Sequence, residues 1–276
     1  MTSPAADAPP AFMSPDERAL AERFLENGYV IRPVENKEGL ARIRDLAAAL
    51  AARHLGIAAP DDSGRFLNRI HEHVDASGLN ALRLAVFNGL NAEAWFRPAY
   101  FALARRTLET LVGNELAMQR RVNLSVQIPG DAGSLLPVHA DVWDGDSPFE
   151  VVLWLPLVDC HRTKAMYLLA PGKDRAMQAR LADFRDQSAE DIYRAVERDV
   201  EFIEIVYGEA MVFSQTLIHG NRVNEEDETR WSMNCRFKSV LSPYADKKLG
   251  EFFEPIIIRP ATRMGLDYRL PEGFDE

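Results

Sequence analysis

Two stretches of this chain alternate strictly between polar and apolar side chains. In the first, Arg121, Asn123, Ser125 and Gln127 are interleaved with Val122, Leu124, Val126 and Ile128. In the second, Arg230, Ser232, Asn234 and Arg236 are interleaved with Trp231, Met233, Cys235 and Phe237. Neighbouring side chains of a strand point to opposite faces, so each stretch predicts a strand with one polar and one apolar face. Further short strands are expected at 151–158, 165–169, 202–206 and 210–213, with turn residues such as 129–133 between them. Many short strands punctuated this way indicate a sandwich or barrel. The polar faces then either meet solvent or line an interior.

The remainder of the chain bears on that choice. Ser14, Pro15 and Glu17 make a helix start, with a capping side chain, a first-turn proline and a glutamate that reaches back. Gly28 ends that helix, and a short strand follows at 29–34. Leu40, Ile43, Leu46, Ala47 and Leu50 recur at helical spacing, predicting a helix over 37–54 closed by Gly56, with a loop at 58–64. Helices are also expected over 79–90 and 93–111, with Pro98 bending or starting part of the second. The charged stretch 172–198 reads as a helical insertion. These helices need an apolar sheet surface to cover, which favours polar faces turned inward, around a ligand. With 276 residues and 47% hydrophobic content, the chain can bury the core of one elaborated domain or two small ones. We read one domain over 14–276, after a loose tail at 1–13. Residues 14–117 are mostly helical support, 118–243 the strand-rich core, and 244–276 a C-terminal extension.

The formal charge of −10, with no strongly basic segment, argues against binding nucleic acid or an anionic membrane surface. Only two cysteines are present, Cys160 and Cys235, as expected of small buried residues in a reducing cytoplasm. No basic start followed by an apolar run marks a secretory signal, and no stretch is long enough to span a bilayer. A small molecule is the expected partner. The oligomeric state has no signature in the sequence.

The residues that carry chemistry lie in Leu136-Pro137-Val138-His139-Ala140-Asp141-Val142-Trp143 and Thr216-Leu217-Ile218-His219-Gly220. On extended backbone His139 and Asp141, two residues apart, project to the same side. With His219 they supply two imidazoles and a carboxylate, the set that caps one face of an Fe(II) ion and leaves the other open. Arg230 stands eleven residues beyond His219. A symmetric hairpin centred between Asn224 and Glu225 would place Arg230 opposite His219, on the same face. Its planar fork suits a carboxylate, so a small dicarboxylic acid could chelate the metal at one end and meet Arg230 at the other. Trp143 either walls the pocket or packs under the loop. Arg236 is expected to hold an anionic substrate group or a buried carboxylate. His71 and His73 read as surface residues, as lining of a substrate cleft or as a second metal site.

The order His139-x-Asp141, His219, Arg230 resembles the Fe(II)/2-oxoglutarate-dependent dioxygenases, most of all the phytanoyl-CoA-hydroxylase-like branch. Also similar are Glu26-Asn27-Gly28-Tyr29-Val30, Val152-Leu153-Trp154-Leu155-Pro156-Leu157, Ala170-Pro171-Gly172-Lys173 and the run from Arg230 to Phe237. The likeness covers 14–240 in layout, and its specific motifs are confined to 136–157 and 210–237. Members acting in carbohydrate or antibiotic biosynthesis are the most similar. The resemblance implies an α+β chain, mainly β with helical support, built on a double-stranded β-helix (a cupin-like jelly roll). It implies His139, Asp141 and His219 as catalytic iron ligands and Arg230 as partner of the far carboxylate of 2-oxoglutarate. Asn123 and Gln127 would hydrogen-bond that co-substrate, and Thr163, Lys164 and Tyr167 are lesser candidates. Trp143, Arg236 and His71 are the candidates for substrate contact. The expected cofactors are Fe(II), 2-oxoglutarate and O2. Because halogenating relatives replace the carboxylate ligand, Asp141 implies hydroxylation or another oxidation, and the expected reaction is hydroxylation of a C–H bond of a polar small molecule, with release of succinate and CO2. The competing readings are a cupin-like metalloenzyme that does not use 2-oxoglutarate and a non-catalytic jelly-roll binding protein.

Overall fold

The computed structural model describes residues 12–271, so the expected tail lies outside the described residues apart from Phe12 and Met13. The elements in order are α1 (Pro15–Asn27), β1 (Tyr29–Pro33), α2 (Lys37–Leu55), α3 (Ser63–Asn68), α4 (Ala76–Ala92), α5 (Phe96–Ala102), α6 (Arg105–Leu111), β2 (Leu116–Gln119), β3 (Asn123–Gln127), β4 (Glu150–Pro156), β5 (Met166–Leu169), α7 (Pro171–Gln178), α8 (Ala189–Val196), β6 (Val200–Phe202), β7 (Glu209–Ser214), β8 (His219–Asn221), β9 (Arg230–Ser239), β10 (Phe253–Ile257) and α9 (Pro260–Asp267). Antiparallel sheets and helices make the chain α+β.

Local chemistry sets the first elements. Ser14 Oγ accepts from the Glu17 amide, and the Glu17 carboxylate accepts from the Ser14 amide at 2.8 Å, so both ends of the first turn are satisfied. Gly28 ends α1 at φ 73°, a left-handed conformation that favours glycine. In α2, Leu40, Ile43, Ala47, Leu50 and Ala51 form one buried face.

A seven-stranded antiparallel sheet runs in the order β1-β7-β4-β9-β2-β10, with β3 paired to β9 as well. One face of it meets the helices. Val151, Leu153 and Leu155 of β4, Leu124 and Val126 of β3, and Trp231, Met233, Cys235 and Phe237 of β9 share a core with Leu40, Ile43, Leu82, Val86 and Tyr100. Directed bonds pin that layer: Tyr100 Oη donates to the Leu153 carbonyl at 2.8 Å, and the Trp231 indole donates to the Leu67 carbonyl at 2.9 Å. The opposite face carries Val152, Trp154, Met211 and Phe213, which pack against Met166, Leu168 and Leu217 near the three-stranded sheet β6-β5-β8. The period of two repeats there: Met166 and Leu168 turn toward the large sheet, while Tyr167 and Leu169 pack with Met177, Tyr193 and Val196 of α7 and α8. The insertion at 172–198 therefore backs the small sheet. The polar faces of β3 and β9 point between the two sheets, where the cavity lies.

Several expected elements differ. The alternating stretch 121–128 forms β3 over Asn123–Gln127, paired with β9, and it is preceded by a separate strand, β2, which pairs with β10 and with β9. The helix expected over 93–111 is two short helices separated at Leu103 and Ala104. The strand expected at 202–206 is met only at its first residue by β6, which ends at Phe202, and Ile205 forms an isolated bridge with Cys160. No hairpin joins His219 to Arg230. His219 lies in β8, opposite Leu168 of the small sheet, and Arg230 in β9, opposite Gln127 of the large one. The short strand β8 and the C-terminal β10 and α9 were not expected. Both thiols are free and buried. Among the described residues no helix is long and apolar enough to cross a membrane.

Candidate metal centre

The segment from Leu136 to His139 runs antiparallel to β8 and extends the small sheet. Asn221 N donates to the Leu136 carbonyl at 3.1 Å, and the Leu136 amide donates to the Asn221 side chain. His139 and His219 then exchange both main-chain hydrogen bonds, at 2.9 and 2.8 Å. Residues paired in this way project to the same face. Their rings sit with centroids 4.3 Å apart, tilted by 48°.

Each imidazole has one nitrogen committed. His139 Nδ1 lies 2.8 Å from the Pro137 carbonyl and His219 Nδ1 lies 2.9 Å from the Leu217 carbonyl. A carbonyl only accepts, so both Nδ1 atoms carry the proton and both Nε2 lone pairs are left to coordinate. Asp141 opens a 3-10 turn over Asp141–Asp144 that Gly145 ends at φ 83°. Its Oδ1 is 3.6 Å from His139 Nε2. One donor atom from each of His139, Asp141 and His219 lies within 4.8 Å of the other two, close enough to share a metal ion.

The electrostatics suit a cation. Burial, reinforced by the neighbouring His139, pushes the His219 imidazole down to about 4, so it is neutral near pH 7. Burial opposes charge on His139 too, but the neighbouring Asp141 carboxylate and the Pro137 carbonyl outweigh that and raise it. Burial also works against the Asp141 carboxylate, yet His139, His219 and Arg236 together hold it well below the usual carboxylate range. The carboxylate is therefore ionised.

A cavity of about 230 Å³ opens onto these three residues. Asn123, Ser125, Ser232 and Asn234 form its polar floor, from the polar faces of β3 and β9. Val152, Trp154, Met166 and Phe213 form its apolar wall. A surface groove of about 1020 Å³ near α1 and α6 is larger, but it is open to solvent and offers no comparable set of ligand atoms. Arg230 also lines the cavity, at only 4% exposure. Its Nη2 donates to Ser125 Oγ at 3.1 Å, its Nε has no partner, and among the described residues no carboxylate pairs with it. Burial pushes the guanidinium down, yet arginine stays charged. A buried, uncompensated cation facing a cavity is costly unless an anion joins it.

The remaining expected residues divide. Asn123 lines the cavity and donates to Asn234 Oδ1 at 2.9 Å. Gln127 is fully buried but outside the lining, and its amide donates to the Arg222 carbonyl at 2.7 Å. It sits at the end of β3, where the loop before β9 covers it. Trp143 is 37% exposed and does not wall the cavity, because the 3-10 turn carries it away. His71 belongs to a 3-10 turn and binds Thr229 Oγ1 at 2.9 Å, fastening the start of β9 outside the cavity. Its neighbour His73 packs on Phe66, also away from the cavity. Lys164 is buried against Glu228, Thr163 bonds Glu226, and Tyr167 stacks on Tyr193; none lines the cavity. Arg236 does line it, and of its two expected roles the structure shows the buried carboxylate: Nη2 donates to Asp141 Oδ1 at 2.8 Å. Ser125, Ser232 and Asn234 were not singled out, although the alternation that marked Asn123 and Arg230 also contains them. Asn221, another lining residue, had a weaker signal, its place two positions after His219.

No protein-family model matches the chain, and no curated protein matches it. Solved structures do. A non-haem monooxygenase, ThoJ in complex with nickel, aligns with a TM-score of 0.54 at 17% identity, over 92% of this chain and 89% of that one. The chain has the fold of the non-haem iron oxygenases. SnoK, a non-haem alpha-ketoglutarate-dependent carbocyclase from nogalamycin biosynthesis, aligns at 0.53 and 16% identity over 89% of this chain and 97% of its own. HygX from Streptomyces hygroscopicus, with nickel and 2-oxoglutarate bound, aligns at 0.50 and 12% identity over 86% and 90%. ThoJ and HygX thus hold nickel in these structures, and HygX also 2-oxoglutarate.

Proposed function

We propose that this protein is an Fe(II)- and 2-oxoglutarate-dependent oxygenase of the double-stranded β-helix type. It oxidises a C–H bond of a polar small molecule, a secondary-metabolite or carbohydrate intermediate, with release of succinate and CO2. The observation that carries this reading is the unpaired Arg230 guanidinium, buried in the same cavity as His139, Asp141 and His219. A metal with two imidazoles and one carboxylate explains the triad. A dicarboxylate explains Arg230 as well, since its far carboxylate removes the cost of the buried charge.

The residues divide the work. His139, Asp141 and His219 would hold the metal, both imidazoles being fixed in the tautomer that presents Nε2. Fe(II) with 2-oxoglutarate and O2 supplies the oxidising chemistry when bound. Arg230 binds the carboxylate of 2-oxoglutarate remote from the metal, and Ser125 Oγ orients the guanidinium. Val152, Trp154, Met166 and Phe213 exclude water from that side. Asn123 and Asn234, joined to each other, offer their remaining amide groups to a polar substrate.

Anaerobic titration of the Fe(II)-loaded protein with 2-oxoglutarate, followed by its visible charge-transfer absorption, tests the assignment. The wild type is expected to saturate, and Arg230→Met to lose about 2–5 kcal/mol of binding, roughly 30-fold or more, as when one partner of a buried charge pair is truncated. Equal affinity in the two proteins would rule out the 2-oxoglutarate reading. Succinate release across a library of polar metabolites then identifies the substrate. Product mass separates hydroxylation, which adds an oxygen atom, from desaturation or ring closure, which removes two hydrogen atoms.

A further inference from the structure

We propose that Arg236, held from behind by Asp146 and Lys247, is a positioning residue that fixes Asp141 as a metal ligand, so that the segment following β9 contributes to metal affinity. The proposal rests on reading His139, Asp141 and His219 as a metal centre.

Arg236 Nη2 donates to Asp141 Oδ1 at 2.8 Å, and the same oxygen faces His139 Nε2 at 3.6 Å. A carboxylate oxygen has two lone pairs, so one is anchored by the guanidinium while the other remains for the ion beside the imidazoles. Arg236 is fixed in its turn. Its Nε donates to Gln215 Oε1 at 3.1 Å and lies 3.1 Å from Asp146 Oδ1. Since the single Nε proton goes to Gln215, the contact with Asp146 is one of charge, and that Asp146 oxygen has no hydrogen-bond donor. The Asp146 side chain is fully buried, and its other oxygen pairs with Lys247 Nζ. Charge therefore alternates along Asp141, Arg236, Asp146 and Lys247. Asp146 balances the positive charge of Arg236 on the side away from the metal ligand, which offsets its repulsion of a divalent ion and leaves its effect on orientation. Lys247 belongs to the C-terminal segment, and its neighbour Asp246 donates its amide to the Gly145 carbonyl at 3.2 Å, at the end of the turn that Asp141 opens. A part of the chain remote in sequence from the triad thereby supports its carboxylate.

The test is Co(II) binding to the full-length protein, by calorimetry and by the visible absorption of the bound ion. Arg236→Met is expected to weaken binding about 10- to 100-fold, the usual cost of removing such a supporting group. Lys247→Met should shift affinity in the same direction by less. In an Asp141→Asn background Arg236→Met should cause no further loss, because its effect passes through that carboxylate. A merely structural role would lower the melting temperature while leaving Co(II) affinity and spectrum unchanged; that result, or tighter binding, overturns the proposal. Should Arg236→Met fail to fold, Lys247→Met decides, its side chain being partly exposed: unchanged affinity overturns the proposal. A wild type that binds no Co(II) removes the metal-centre reading itself and this inference with it, whereas wild-type binding with insensitive variants removes this inference alone.

Discussion

His139 and His219, eighty residues apart in the chain, are directly paired by two main-chain hydrogen bonds. The convergence of the two imidazoles is thus a property of the backbone, not of how the rings pack. Each ring is then oriented by a carbonyl two residues upstream on its own segment of chain. The spacing of the donor atoms is built before any ion arrives, which reduces the ordering that binding must impose.

Because the pairing uses only main-chain groups, removing one ring leaves the bridge in place. His219→Ala and His139→Ala are therefore expected to fold, and to lose stoichiometric metal. Metal analysis of protein loaded anaerobically with Fe(II) and then desalted checks this. One ion per chain retained by either variant would show that the triad is not the binding site.

Ser125 supplies the only side-chain hydrogen bond that Arg230 makes among the described residues. Ser125→Ala leaves the charge of Arg230 but frees its fork. One neutral hydrogen bond to a charged group is worth about 1.5–3 kcal/mol, and the carboxylate of 2-oxoglutarate recovers part of that. The KM for 2-oxoglutarate is expected to rise several-fold, with a much smaller change in kcat. Steady-state succinate release in the two proteins measures the split, and an unchanged KM would mean that Arg230 is positioned by other contacts.

The sequence made some of this site legible and obscured the rest for physical reasons. The motif His139-x-Asp141 and the alternating faces of β3 and β9 are local signals, and the structure brings these residues to one cavity. Arg230 reaches that cavity by a route different from the expected hairpin. Eleven residues can close a hairpin or cross from one sheet to another, and spacing alone does not distinguish the two. Here the chain crosses, so Arg230 and His219 meet from separate sheets. Gln127 was expected on the same evidence as Asn123, but the alternation has no information on where a loop covers a strand end. Neighbouring residue types do not decide whether Trp143 walls the pocket or packs under the loop; the turn at Asp141–Asp144 carries it outward, away from the cavity. The support from Asp146 and Lys247 had no sequence signal, because pairing between such distant charges depends on the fold.

His219 gives the metal-free protein a pH dependence. Its imidazole sits at about 4 in the folded chain against the ordinary value of 6.5. Between those values the unfolded chain binds a proton that the folded chain refuses, so stability is present above 6.5 and is lost as pH falls toward 4. His139, raised in the fold, contributes in the opposite sense: its stabilisation is present below 6.5 and is lost as pH rises through its folded value. Melting temperatures in the presence of a chelator, for wild type and His219→Asn, separate the two. The wild type is expected to lose more stability than the variant between pH 6.5 and 4, and parallel curves would contradict the assignment.

Gly220, the residue after His219, stands where the small sheet leaves no room for a side chain. A Cβ there would lie 2.5 Å from Tyr167 Oη, 2.9 Å from its Cζ and 3.0 Å from the Leu136 carbonyl oxygen. Tyr167 is the partner of Gly220 across β5 and β8, and Leu136 lies on the segment that continues to His139. A methyl group would therefore press β8 away from both strands that fix His219. Overpacking of this kind costs about 1–3 kcal/mol, and here the displacement also falls on the His139–His219 pairing. Gly220→Ala is expected to lower the melting temperature and to weaken Co(II) binding, while Tyr167→Phe alone leaves Co(II) binding close to wild type. In the double variant, loss of the hydroxyl relieves the nearest clash, so stability and metal affinity should recover in part, limited by the ring Cζ and the Leu136 carbonyl, which both remain. Recovery of stability without recovery of metal affinity would show that Gly220 serves the sheet and not the centre.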